Sequence, residues 1–162
     1  MAQSVYYDSC IFLNAQNQTH AEHQSCLAIT TPSSISWVVW LCLDLISSET
    51  TAGELVSAFE VNCALEGKLV VHAHLAAART LAAKYKNDKI RLKKLQLKDQ
   101  DFTHLMCAVS VKAEALTTVD PDFWDAANKR NPSAARRLVG TKRLIEATFP
   151  IKVLLPSQLR PA

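Results

Sequence analysis

Short apolar segments with strand-like composition alternate with helical segments along this chain, and this alternation restricts the possible folds more than any other feature. β-Branched and aromatic residues favour strands at positions 4–7, 37–45, 115–119 and 151–155. Helical spacing of apolar residues begins at about position 11 and recurs at 20–29, 54–63, 73–86, 101–109 and 121–127, and Gly67 offers a helix stop. We therefore predict an α/β fold with three layers, in which helices cover both faces of a mainly parallel central sheet. With no repeat or linker, residues 1–162 are expected to form one domain.

The composition is that of a globular protein and excludes few functions. Hydrophobic residues make up 49% of the chain and charged residues 20%, and the net charge of +3 is compatible with nucleic acid without requiring it. The five cysteines include no Cys-x-x-Cys pair, so buried free thiols are expected. The N-terminus has no basic segment followed by an apolar run, and the longest apolar stretch, 35–46, is shorter than the ~20 residues of a membrane span. We expect a cytoplasmic protein.

Four carboxylates lie where an α/β sheet gathers its ligands. Asp8 and Asp120 follow predicted strands, Glu54 lies at the start of the helix after the second strand, and Asp101 opens another helix. Ligands of open α/β sheets bind beyond the carboxyl ends of the strands, so these acids could converge there. Carboxylates held close together repel one another, and a hard cation that prefers oxygen ligands relieves the repulsion. Taken singly, each acid is better explained as a helix cap or a strand end, and it is the four together that favour a shared site.

The local sequences around these acids resemble those of the PIN-domain family, in particular the small VapC-like ribonucleases that act as toxins in toxin/antitoxin pairs. VYYDSCIFLNA is similar to the family's opening strand and first acid, and SSETTAGELVSAF to the segment that carries its glutamate. KDQDFTHLMCA resembles the helix start that carries the third acid, and LTTVDPDFW the strand that ends in Thr-x-Asp. PIKVLLPSQL is similar to the final strand, whereas the stretch 30–44 is longer and more apolar than the family pattern.

The resemblance implies a PIN-like, divalent-metal-dependent endoribonuclease that hydrolyses RNA phosphodiesters with Mg²⁺ or Mn²⁺. Asp8, Asp101 and Asp120 would bind the metal, Glu54 would be a further ligand or orient the water, and Thr118 would support an acid or a bound water. Two further acids, Asp122 and Asp125, could also reach the metal. The resemblance also implies a homodimer and a possible antitoxin partner, and the apolar stretch with Trp37 and Trp40 is a candidate for core or contact surface.

Several other polar residues have both a functional and a structural interpretation. His104 could face the cleft three residues after Asp101, although a packed structural role is favoured for it; His72 and His74 lack a third ligand for zinc. Cys10 and Cys107 have no adjacent histidine base. Two groups of basic residues could hold a phosphate backbone or could simply be solvated. They are Lys84, Lys86, Lys89, Arg91, Lys93, Lys94 and Lys98 before Asp101, and Lys129, Arg130, Arg136, Arg137, Lys142 and Arg143 after Asp120.

The sequence leaves three alternatives to the ribonuclease. A PIN-like fold could have lost catalysis and act as an RNA-binding or scaffolding module, but the presence of all four acids favours the enzyme. An aspartyl phosphatase would need a second aspartate two residues after Asp8, where the chain has Cys10. A phospho-receiver domain would need a paired acid near the first strand, which is also absent from the sequence.

Overall fold

The computed structural model describes residues 3–48, 52–85, 97, 99–123 and 141–159. Within them, five strands form one sheet in the order β3-β2-β1-β4-β5, and every neighbouring pair is parallel. The strands are β1 (Ser4–Tyr7), β2 (Val38–Leu41), β3 (Val70–His72), β4 (Ala115–Thr117) and β5 (Lys152–Leu154). Helices pack on both faces of this sheet, so the predicted three-layer α/β/α fold is confirmed.

The helices connect the strands in the way that parallel pairing requires. They are α1 (Cys10–Asn14), α2 (His23–Ile29), α3 (Leu43–Ser48), α4 (Ala52–Leu65), α5 (Leu75–Lys84), α6 (Asp99–Ser110) and α7 (Thr141–Thr148). Short 3-10 turns occupy Pro32–Ser34, Pro121–Phe123 and Pro156–Gln158. No helix of the described ranges is long and apolar enough to cross a membrane.

The central strand β1 separates two hydrophobic cores. Tyr7 belongs to the core beneath α1, α2 and α4, whereas the preceding Tyr6 belongs to the core beneath α5, α6 and α7. Both side chains are fully buried, because alternate residues of a strand point to opposite faces and helices cover each face. The carboxyl end of β1 is therefore held from two sides, which fixes the position of the residue that follows it.

The helix α4 ends as the sequence predicts. Gly67 has a φ of +66°, a left-handed conformation that glycine adopts without strain. The amide of Gly67 donates to the carbonyl of Ala64 at 3.2 Å, and the amide of Lys68 donates to the carbonyl of Cys63 at 2.8 Å. This pair of bonds is a Schellman motif, which satisfies the last carbonyls of the helix and turns the chain towards β3.

The observed strands differ from the predicted ones in two places. The predicted strand at 37–45 ends at Leu41, and the helix α3 begins at Leu43, because Cys42 to Ile46 turn their apolar side chains into the cores rather than continuing the sheet. The strand β3 was not predicted. It is three residues long and lies at the edge of the sheet, where its partly exposed side chains give no buried apolar run.

Trp37 and Trp40 have different environments, and only the first is fully inside the protein. The indole nitrogen of Trp37 donates to the hydroxyl of Tyr7 at 2.9 Å, and that hydroxyl donates to the carbonyl of Ile29 at 2.9 Å. Trp37 is buried, whereas Trp40 is half-buried at the margin of the opposite core. Trp37 and Tyr7 therefore form a chain of buried hydrogen bonds that links β1 to the end of α2.

Candidate metal centre

The topology places the ends of β1 and β4 side by side at the point where the strand order reverses. The chain adds β2 and β3 on one side of β1 and then crosses to add β4 and β5 on the other. In such sheets the crevice between the two diverging connections is open, and ligands bind there. Asp8 follows β1 directly and Asp120 lies three residues after β4, so both acids lie at this crevice.

Asp8 is held in place by hydrogen bonds to its backbone and its side chain. Its amide donates to the carbonyl of Thr117 at 3.1 Å, which continues the pairing of β1 with β4. Its Oδ2 accepts the hydroxyl of Thr118 at 2.7 Å and the thiol of Cys10 at 3.3 Å. Its side chain is almost completely buried. These donors hold the buried carboxylate in one orientation.

Thr118 also fixes the second acid, and a tight turn adds a third. The hydroxyl oxygen of Thr118 accepts the amide of Asp120 at 3.0 Å while its proton goes to Asp8. The Oδ1 of Asp120 accepts the amide of Asp122 at 3.0 Å across the 3-10 turn. The buried ring of Phe123 anchors that turn in the core. Thr118 therefore links the carboxylate of Asp8 to the backbone of Asp120.

Asp101 approaches the same crevice from the first turn of α6. It is 9% exposed, and its Oδ2 accepts no hydrogen bond from the part of the chain that the structure describes. Burial raises the pKa of this carboxyl from 3.8 to about 7, and the charges of Asp120, Asp8 and Asp122 add to the increase. A carboxylate that lacks hydrogen bonds and faces other acids is poorly stabilised as an anion by the protein alone, and a cation would stabilise it.

The acids meet in a cleft of about 220 Å³. Its lining residues are Asp8, Ser9, Cys10, Leu13, Gln100, Asp101 and Asp120. Carboxylate oxygens of Asp101, Asp120 and Asp122 lie within 4.8 Å of one another. Two oxygens bound on opposite sides of one Mg²⁺ are about 4 Å apart, so small side-chain rotations would bring this trio to coordination distance. The all-oxygen donor set fits a hard cation such as Mg²⁺ or Mn²⁺.

The structure brings most, but not all, of the predicted site residues together. Asp8, Asp101 and Asp120 line one cleft, and Thr118 contacts two of them. Glu54 lies in the first turn of α4, which begins near the same edge of the sheet. Its side chain is exposed and is not among the residues that line the cleft or form the trio. The role of Glu54 therefore stays a prediction.

Asp122 belongs to the trio, although the sequence ranked it only as a spare ligand. The signal for it was the Asp-Pro-Asp spacing after β4, since an aspartate side chain can accept the backbone amide two residues on and proline favours a turn between them. The other spare, Asp125, lies outside the described residues. So do Lys86, Lys89, Arg91, Lys93, Lys94, Lys98, Lys129, Arg130, Arg136 and Arg137 of the two basic groups.

Three further residues that the sequence offered as functional candidates make contacts that suit a structural role. His72 contacts Glu60 on the surface, far along the sheet from β4. Lys142 pairs with Glu146 at 2.7 Å, one turn apart on α7. Cys10 is the cysteine that contacts the cleft acids, and burial together with the charge of Asp8 raises the pKa of its thiol. A protonated thiol is a poor nucleophile, so Cys10 acts here as a hydrogen-bond donor.

Comparisons with known proteins add no relative to this description. No family model, curated protein or solved structure matches the chain.

Proposed function

We propose that this protein is a divalent-metal-dependent endoribonuclease with a PIN-like fold. The observation that carries the proposal is the cluster of Asp101, Asp120 and Asp122, joined by Asp8 in one cleft at the reversal of strand order. The choice of RNA as substrate, and the homodimer, the antitoxin and the cytoplasmic location that accompany it, rest on the resemblance of the four acid-bearing segments to VapC-like toxins.

The electrostatics of the cleft favour a shared metal site over separate structural roles for the four acids. A helix-capping aspartate accepts backbone amides and keeps a low pKa. Asp101 does the opposite, since its Oδ2 accepts no bond from any described residue and its pKa is raised to about 7. A bound cation would attract every carboxylate of the cluster and so offset their mutual repulsion.

The residues of the chain have separable roles in the proposed reaction. Bound Mg²⁺ or Mn²⁺ would lower the pKa of a coordinated water and stabilise charge on the phosphate oxygens. Asp101, Asp120 and Asp122 would hold the cation, and Asp8, which lines the same cleft, would be a further ligand. Thr118 keeps Asp8 and Asp120 in a fixed relation, so that the ligands need little rearrangement on binding.

The test is cleavage of single-stranded RNA by the purified full chain. We expect cleavage with Mg²⁺ or Mn²⁺ and none in excess EDTA, because the proposed reaction needs the bound cation to activate water. Asp8→Asn and Asp120→Asn should each reduce the rate by at least about a hundredfold while the proteins stay folded. Asp99→Asn is the matched control, since Asp99 is an exposed acid in the first turn of α6.

Two results would contradict the proposal in different ways. Cleavage that persists in EDTA would remove the metal from the mechanism. Tight binding of RNA without cleavage, under conditions where Mn²⁺ is bound, would favour the alternative of a catalytically silent RNA-binding or scaffolding module.

A further inference from the structure

His104 lies behind Asp8 and does not line the cleft. Its ring is 1% exposed, and it is absent from the residues that form the cleft wall. Its Nε2 lies 3.5 Å from the Oδ1 of Asp8, the oxygen opposite to the one that Thr118 holds. An imidazole in this position cannot touch a substrate in the cleft, but it can act on the carboxylate in front of it.

The contact with Tyr6 favours the tautomer of His104 in which Nε2, the nitrogen that faces Asp8, carries the proton. The hydroxyl of Tyr6 lies 2.7 Å from Nδ1 of His104, and the two rings pack edge to face with centroids 5.8 Å apart. A tyrosine hydroxyl carries its proton at neutral pH and can donate it to Nδ1 at this distance. Nε2 then carries the ring proton and points it at Asp8.

The opposite tautomer is disfavoured by the same geometry. If Nδ1 carried the proton and donated it to Tyr6, the lone pair of Nε2 would face a carboxylate oxygen inside the protein. Two electron-rich atoms at that distance repel, and burial leaves little water to screen them. With the proton on Nε2, the Tyr6 hydroxyl donates to Nδ1 and the imidazole N–H faces the Oδ1 of Asp8 at 3.5 Å, an electrostatic contact rather than a completed hydrogen bond.

We propose that Tyr6 and His104 are positioning residues that orient the carboxylate of Asp8 for divalent-cation binding. This inference rests on the proposed metal-dependent function. Thr118 donates to the Oδ2 of Asp8 at 2.7 Å, whereas Ser9 donates to Oδ1 at 3.3 Å and the imidazole of His104 faces the same Oδ1 at 3.5 Å. Partners of this kind behind a ligating carboxylate typically contribute 10–100-fold to metal affinity.

The experiment measures Mn²⁺ affinity of the full chain by isothermal titration calorimetry without RNA. His104→Leu keeps the volume of the ring and removes both nitrogens, whereas His104→Gln can still donate an N–H towards Asp8. We expect His104→Leu to weaken Mn²⁺ binding by about 10–100-fold and His104→Gln to restore most of the loss. Tyr6→Phe removes only the hydroxyl and should weaken binding by a smaller factor, because the tautomer is no longer fixed.

A purely structural role predicts the reverse order, since leucine suits a buried site better than glutamine. His23→Leu is the matched control, because His23 is a second buried histidine that contacts the carbonyl of Asn14 and is not among the residues that line the cleft. It should leave Mn²⁺ affinity unchanged. Equal Mn²⁺ affinity in His104→Leu and the unmodified protein would overturn the positioning role while leaving the metal site intact. Absence of Mn²⁺ binding in the unmodified protein would overturn the metal site itself and this inference with it.

Discussion

The raised pKa of Asp101 makes the stability of the metal-free protein depend on pH in a defined direction. The folded protein binds the proton of this carboxyl up to a pH of about 7, whereas the unfolded chain releases it near 4. The contribution of Asp101 to the free energy of unfolding is therefore fully present below about pH 4. It is lost as the pH rises to about 7. Asp101→Asn removes this dependence, because the amide stays neutral at every pH.

The size of the effect follows from the difference between the two pKa values. Each pH unit between them corresponds to about 1.4 kcal/mol, so complete burial of Asp101 would give about 4 kcal/mol at neutral pH. The carboxyl lines an open cleft, and water there screens the neighbouring charges, which reduces the figure to about 2 kcal/mol. In a domain of this length that energy shifts the melting temperature by roughly 4–8 °C.

The assay is urea denaturation in EDTA from pH 4.5 to 8, with thermal melts as a second measurement. Asp101→Asn should be more stable than the unmodified protein at pH 8, and the gap should close towards pH 4.5. Asp99→Asn is the control, since Asp99 lies in the same first turn but is exposed, and it corrects for the loss of a negative charge at a helix N-terminus.

The same denaturation experiments are repeated with Mn²⁺, because the carboxylate of Asp101 should bind the ion. At one hundred times its dissociation constant, the ion should stabilise the unmodified protein by about 2.7 kcal/mol and stabilise Asp101→Asn much less. The reasoning is refuted if Asp101→Asn is less stable than both the unmodified protein and the control at pH 8 in EDTA. Stability curves that run parallel over the whole pH range would refute it equally.

Two further predictions concern the core residue Trp37 and the exposed acid Glu54. Trp37→Phe removes the hydrogen bond to Tyr7 and leaves a small void, so it should lower the free energy of unfolding by about 2 kcal/mol in denaturation and leave Mn²⁺ affinity unchanged. Trp40→Phe, at a half-buried position, is its control and should lower stability less. Glu54→Gln should reduce RNA cleavage at least about tenfold while changing stability by no more than about 0.5 kcal/mol, because its side chain is exposed. Unchanged turnover in Glu54→Gln would exclude Glu54 from the reaction.

Local sequence was sufficient for the features that depend on neighbouring residues. The alternation of strand-like and helical segments predicted the layered sheet, since apolar periodicity is set within a few residues. The strand β1, its following acid Asp8 and the stop at Gly67 were all predicted within a residue of their observed places. Each depends on one segment only, either on the steric preference of glycine or on an apolar run that must be buried.

Tertiary structure alone decided which of these segments meet. The sequence could not show that β1 pairs with both β2 and β4, and this pairing places Thr118 between Asp8 and Asp120. Nor could it show that the α6 residue His104 lies behind Asp8, 96 positions away along the chain. Such contacts join segments whose spacing in sequence carries no information about distance in space. The edge strand β3 was not predicted for a related reason. Backbone hydrogen bonds to β2 fix its position, and such bonds are not reflected in the sequence pattern of its own side chains.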